Sequence, residues 1–125
     1  MVEIPAEVRE EWNRRDGPAV FTTVNEDHEP NSVYVSCIKM RNKEKFVIAD
    51  NHFDKTKKNI FSGSYGAVLF ITDENKSYQL KGPLQYETEG EIYRYMKTWL
   101  DPDFPGHGAT VLEVEEVYQG SDRLA

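Results

Sequence analysis

Apolar and polar residues alternate along most of this chain, and the stretches between the alternating runs are rich in Gly, Pro, Asn and Asp. That pattern predicts strands joined by short turns. The densest apolar run is FVIA at residues 46–49, whose β-branched and apolar side chains predict a buried strand. A polar turn follows at 50–52, then a short helix that starts near Asp54 or Lys55 and stops at Gly63. The rest of the chain is read around that unit. Ile4, Val8 and Trp12 recur every four residues and predict an opening helix with Pro5 at its first position, broken at residues 16–18. Strands are expected at 19–24 and 32–40, with a turn at 26–30 between them. In the second, Val33, Val35 and Cys37 share one face, and Tyr34, Ser36, Ile38 and Met40 share the other. Neither face is plainly polar, so both are expected to meet protein or ligand.

After the central unit, the alternation predicts a strand at 65–73, a hairpin turn at 74–76 and a strand at 77–88 bent at Gly82-Pro83. A helix at 90–99 places Ile92, Tyr95, Met96 and Trp99 on one face. Residues 101–108 read as an irregular loop, 109–118 as a last strand and 119–125 as a mobile tail. The expected fold is mainly β: six antiparallel strands with hairpin-length connections and three short helices. Closing such a sheet into a barrel removes edges that it must otherwise protect.

Composition narrows the function. A length of 125 residues suits one domain with a real core. A net charge of −7 disfavours general nucleic-acid binding, which depends on neutralising phosphates. The single cysteine, Cys37, excludes an intrachain disulfide and reads as a small core residue. With no signal pattern at the start and no run of membrane-spanning length, a cytoplasmic protein is expected. His28, His52 and His107 lack a second histidine or cysteine at ligand spacing, so no metal site is expected. The serines lack a nucleophile-elbow motif.

The lysines at the start of the central helix run against the acidic balance. Lys55, Lys57 and Lys58, with Thr56 among them, sit where a helix ordinarily carries acidic residues. Cations and a hydroxyl beside unpaired amides make a cradle for a phosphate. The same residues also suit a solvated, lysine-rich surface helix, and this stretch alone favours neither reading.

The order of elements, together with Lys55, Thr56 and Asn59 after the 46–49 strand and the strands at 30–40 and around Gly82, resembles the flavin-binding split-barrel family. That family includes pyridoxamine 5′-phosphate oxidase and the small bacterial FMN-binding proteins. The resemblance implies a split β-barrel that binds FMN. Lys55 and Thr56 would hold the phosphate, with Lys58 and Asn59 nearby. Tyr34, Val35 and Ser36 would run beside the isoalloxazine and ribityl chain, and Ile48, Ala49 and Asp50 would form the opposite wall. It also implies a homodimer with flavin at the interface, where Trp99 or Phe104 could cap the partner's flavin; for Trp99 the reading as the last core residue of its helix is preferred.

Some residues depart from the family pattern. Asp54 lies beside the expected phosphate site, no arginine stands in the stretch, and Tyr34 is bulky beside a ring. The chain ends Arg123, Leu124, Ala125, without the arginine-histidine element of the oxidase proper, so that activity is not expected. The expectation is an FMN-dependent oxidoreductase with no protein acid or base assigned. Its alternatives are a non-enzymatic FMN-binding electron carrier and a flavin-free barrel for another phosphorylated ligand, haem or a protein partner.

Overall fold

The computed structural model describes residues 2–125. The chain forms α1 (Ala6–Trp12), β1 (Ala19–Val24), β2 (Pro30–Val35), β3 (Ile38–Arg41), β4 (Lys45–Asp50), α2 (Lys55–Phe61), β5 (Tyr65–Ile71), β6 (Ser77–Glu87), α3 (Glu91–Trp99), β7 (Gly108–Glu113), β8 (Glu116–Gln119) and β9 (Asp122–Arg123). All pairings are antiparallel, in the order β2-β1-β5-β6-β7-β4-β3, with β8 on β6 and β9 on β8. The two ends of that order, β2 and β3, are separated by only Ser36 and Cys37. Their covalent link draws the sheet into a curl: a mainly β split barrel with three short helices.

Three expectations are corrected. The single strand expected at 32–40 is two strands, because the buried parity shifts. Val35 points inward, as does Ile38, and the two intervening residues carry the chain from one sheet partner to another. The expected last strand likewise splits at Val114 and Glu115, so that β7 pairs with β4 and the far half of β6 while β8 pairs with its near half. Gly82 sits at that exchange. A Cβ there would run into the backbone carbonyl of Glu113, so only glycine lets the β7–β8 corner pass so close. The tail expected to be mobile instead forms β9, with the Leu124 amide donating to the Val117 carbonyl at 2.7 Å. Leu124 and Ala125 pack on the core, which gives the tail its hold.

β4 explains why its sequence is apolar without alternation. Phe46 and Ile48 face the barrel interior with Leu112 of β7, while Val47 and Ala49 face outward beneath Met96 and Leu100 of α3. Buried from both sides, the strand has no polar face to show. α1 plugs the barrel with Ile4, Val8 and Trp12, and Trp12 meets the rings of Phe46 and Phe70 edge-on at 5.0 Å each. Burying such a side chain stabilises by about 1.5–3 kcal/mol relative to exposure. No helix among the described residues is long and apolar enough to cross a membrane.

Candidate functional site

α2 turns one face inward. Thr56, Asn59 and Ile60, spaced three and four apart, are buried, while Lys55 and Lys58 face solvent. The buried polar groups have partners: the Asn31 amide donates to the Thr56 hydroxyl at 3.0 Å, and the Asn59 amide donates to the Thr23 hydroxyl at 3.0 Å. Asn59 thereby fastens α2 to β1. Asp54 stands at the N-cap but makes no side-chain cap bond, so the first-turn amides are not closed off by it. Its carboxylate lies 3.8 Å from Lys58, and Lys57 lies 3.9 Å from Asp50. Among the described residues, Lys55 is the α2 lysine with no carboxylate within ion-pair reach.

Asp50 anchors the turn between β4 and α2. Its carboxylate, 1% exposed, accepts from the Phe53 amide at 2.9 Å and from the Tyr86 hydroxyl at 2.5 Å. Burial, and then the bond to Asp50, push the Tyr86 hydroxyl well above its ordinary pKa. Two further bonds tie the turn to the loop before β7: the His107 amide donates to the Asp50 carbonyl, and the Gly106 amide donates to the Asn51 side chain. The turn is held from three directions, although its sequence reads only as polar.

Between this turn, the end of β2 and the start of α2 lies a cavity of about 430 Å³, within the range of cofactor sites. Its lining is of two kinds: Asn31, Asn51, His52, Asp54, Lys55 and Thr56 are polar, while Val33, Val35, Ala49, Phe53 and Phe104 are apolar. Of the ten residues expected to touch a cofactor, six line it: Tyr34, Val35, Ser36, Ala49, Lys55 and Thr56. Lys58 and Asn59 line an adjoining, mostly polar groove of about 580 Å³ that shares Asn31 and Lys55 with the cavity but offers no apolar wall. Ile48 lies in the barrel core with no exposed surface, and Asp50 sits behind the turn it anchors. Trp99 packs against the cluster beneath α3, and Phe104 stands at the cavity.

Sequence reasoning missed Asn31, Val33, Cys37, Asn51 and Phe53 as lining residues; His52 lies near the expected phosphate site and lines the cavity too, although the sequence favours an exposed loop histidine there. Asn31 did carry a signal. It shares the inward parity of Val33 and Val35, and a polar residue on an otherwise apolar face calls for a partner. Among the described residues no cluster of three or more His, Cys, Asp or Glu stands ready for a metal.

The family model described as pyridoxamine 5′-phosphate oxidase matches residues 4–120. The chain belongs to that family. An uncharacterized protein of Methanocaldococcus jannaschii, MJ0282, is 35% identical over 103 residues, covering 78% of this chain and 69% of the relative. The fold recurs in HupZ of Group A Streptococcus, with a TM-score of 0.84 at 22% identity over 98% of both chains. It recurs in an FMN-binding protein of Syntrophomonas wolfei, with a TM-score of 0.73 at 21% identity over 91% of this chain and 84% of that one. HutZ, a haem storage protein of Vibrio cholerae, shares it with a TM-score of 0.69 at 15% identity over 95% and 96%. At such identities these three establish the shared fold of the oxidase family and leave the ligand to the residues of this chain.

Proposed function

We propose that this protein is an FMN-dependent oxidoreductase of the pyridoxamine 5′-phosphate oxidase family. The observation that carries the reading is Lys55, a lysine with no carboxylate within ion-pair reach in a cavity that also has an apolar lining; Asp54, the carboxylate on the same lining, lies 3.8 Å from Lys58 instead. FMN needs that division. Its phosphate carries nearly two negative charges at neutral pH and requires cations and donors, whereas its ring requires a flat apolar slot. Lys55 would hold the phosphate. Thr56 accepts from Asn31 and retains its own hydroxyl proton to donate. Val35, Ala49 and Phe53 would flank the ring, with Tyr34 and Ser36 at the mouth. α2 is only seven residues long, so its side chains rather than a helix dipole would bear the anion. When bound, the flavin supplies the electron-transfer chemistry; the chain binds, orients and shields it.

The partner is proposed to be a second copy. The outward face of β1, β2 and β5 is not covered by a helix, and it exposes Val24, Tyr34, Tyr65, Leu69 and Ile71. Val20 lies opposite both Tyr34 and Leu69 and joins them into one apolar row. Such a row beside the cavity suits a homodimer with the cofactor near the interface. The lone Cys37 thiol suits a reducing, cytoplasmic setting.

Absorbance of the purified chain before and after adding FMN, with excess removed, tests the cofactor. Retained flavin bands, and riboflavin bound far more weakly than FMN, are expected. Equal affinity for riboflavin would remove the phosphate assignment. A haem spectrum with no flavin retention would give the cavity to the haem alternative.

A further inference from the structure

On another side of the barrel, an open groove of about 400 Å³ runs between α1, the turn after it and β3. Three cations line it, Arg9, Arg15 and Lys43, and among the described residues no carboxylate does; Lys39 borders it through its strand, its ammonium lying over the Trp99 ring on the α3 side. In a chain of net charge −7 this is a local reversal of sign. Among the described residues, Arg15 and Lys43 have no carboxylate within ion-pair reach, Arg15 lying 3.9 Å from the centre of the Trp12 ring, and Arg9 has only Glu3, at 3.9 Å. Helical spacing produces the segregation. With Ile4, Val8 and Trp12 inward, Arg9 falls on the side of α1 toward β3. Glu7 and Glu11 fall on the side toward Tyr78, whose hydroxyl pKa is raised by burial first and then by these carboxylates.

We propose that this groove docks an extended acidic segment of a partner protein. β3 forms one wall and ends the pairing order, so its second edge has no strand partner and offers main-chain donors and acceptors to an added strand. Trp12 and Ile38 supply apolar surface beneath the cations. Lysines on an edge strand also deter unwanted pairing, but that role does not account for Arg9 and Arg15, which stand off the strand. The groove adjoins the cavity through the chain itself: Cys37 lines the one and Ile38 the other. A segment seated here would lie against the wall behind the proposed flavin. The proposal concerns binding and stands whether or not flavin is the cofactor.

The test is fluorescence anisotropy of a short labelled peptide alternating Glu with Val, titrated with the full chain. Saturable binding that weakens with salt is expected, with a loss of about tenfold or more in the Arg9→Glu, Lys43→Glu double variant. Melting temperature and the far-ultraviolet spectrum report that the variant is folded; Arg9→Gln with Lys43→Gln replaces it if the charge reversals prevent folding. Affinity unchanged in the folded variant, equal affinity for a Lys–Val peptide, or displacement of the peptide by equimolar pyrophosphate or short RNA would each overturn the proposal.

Discussion

Three lysines stand on α2, and their neighbours divide their work. Lys57 and Lys58 each have a carboxylate within 4 Å, while Lys55 lines the cavity with none at that distance. Lys55→Ala is therefore expected to raise the Kd for FMN roughly tenfold, about 1.4 kcal/mol, with an unchanged melting temperature; its exposure keeps the effect modest. Lys58→Ala should change affinity less, and a titration by flavin fluorescence compares the two. The Lys-Thr-Asn pattern was legible in the sequence as a site, but not as a site with two trades. Only the structure shows Asn59 spent on Thr23 and Thr56 joined to Asn31, because those partners come from strands 36 and 25 residues away.

Tyr86 and Asp50 make a second prediction at this scale. The Tyr86 hydroxyl titrates at higher pH in the folded chain than in the unfolded one, where it ionises near its ordinary 10. Above about pH 10 the folded chain thus holds the extra proton, and stability, complete below that pH, declines as pH rises. Tyr78 shifts in the same direction. Tyr86→Phe should flatten the alkaline fall in denaturation midpoint without removing it. At neutral pH it should cost about 1.5–3 kcal/mol, because a buried carboxylate loses its donor.

Among the elements, what was legible followed from periodicity, and what was not followed from changes of phase. The helices, β1, β4, β5 and β6 lie where the apolar spacing put them. The expected strand at 32–40 hid a phase change, since Val33 and Val35 are odd and Ile38 and Met40 even, and an apolar residue on either face conceals a shift of one. The split between β7 and β8 was hidden in the same way, and its cause lies in a different strand, at Gly82. Gly82→Ala should therefore destabilise by at least about 3 kcal/mol, a backbone collision rather than a lost contact. Chemical denaturation measures it. α3 adds a case in which charge does the work of apolar cover: the Arg41 guanidinium lies 4.1 Å from the centre of the Tyr95 ring, so β3 meets this helix partly through a cation over an aromatic face.

For the whole molecule, the sign of charge and the uncovered sheet face matter more than any single group. A net charge of −7 spread over the surface leaves the row of Tyr34, Val20 and Leu69 nearly uncharged, which is where a second copy is proposed to sit. Leu69→Glu, introducing like charges across a two-fold contact, should convert the dimer to a monomer in sedimentation velocity while leaving the far-ultraviolet spectrum intact. A wild-type chain that sediments as a monomer at micromolar concentration would refute the dimer. The barrel class was legible from strand count and turn length. The break between β2 and β3 was not, because it falls on two residues, Ser36 and Cys37, that carry no turn signal.

β4 is paired along both edges and covered on both faces, whereas β2 is paired only with β1. In deuterium uptake these strands should behave as opposite extremes. The amides of 46–49 should exchange only when the whole chain opens, and those of 31–35 through local fraying. Ala49 and the β2 residues Asn31, Val33 and Val35 line the same cavity. The site thus has one fixed jaw and one that breathes, and a ligand spanning both would register as slowed exchange on the β2 side alone.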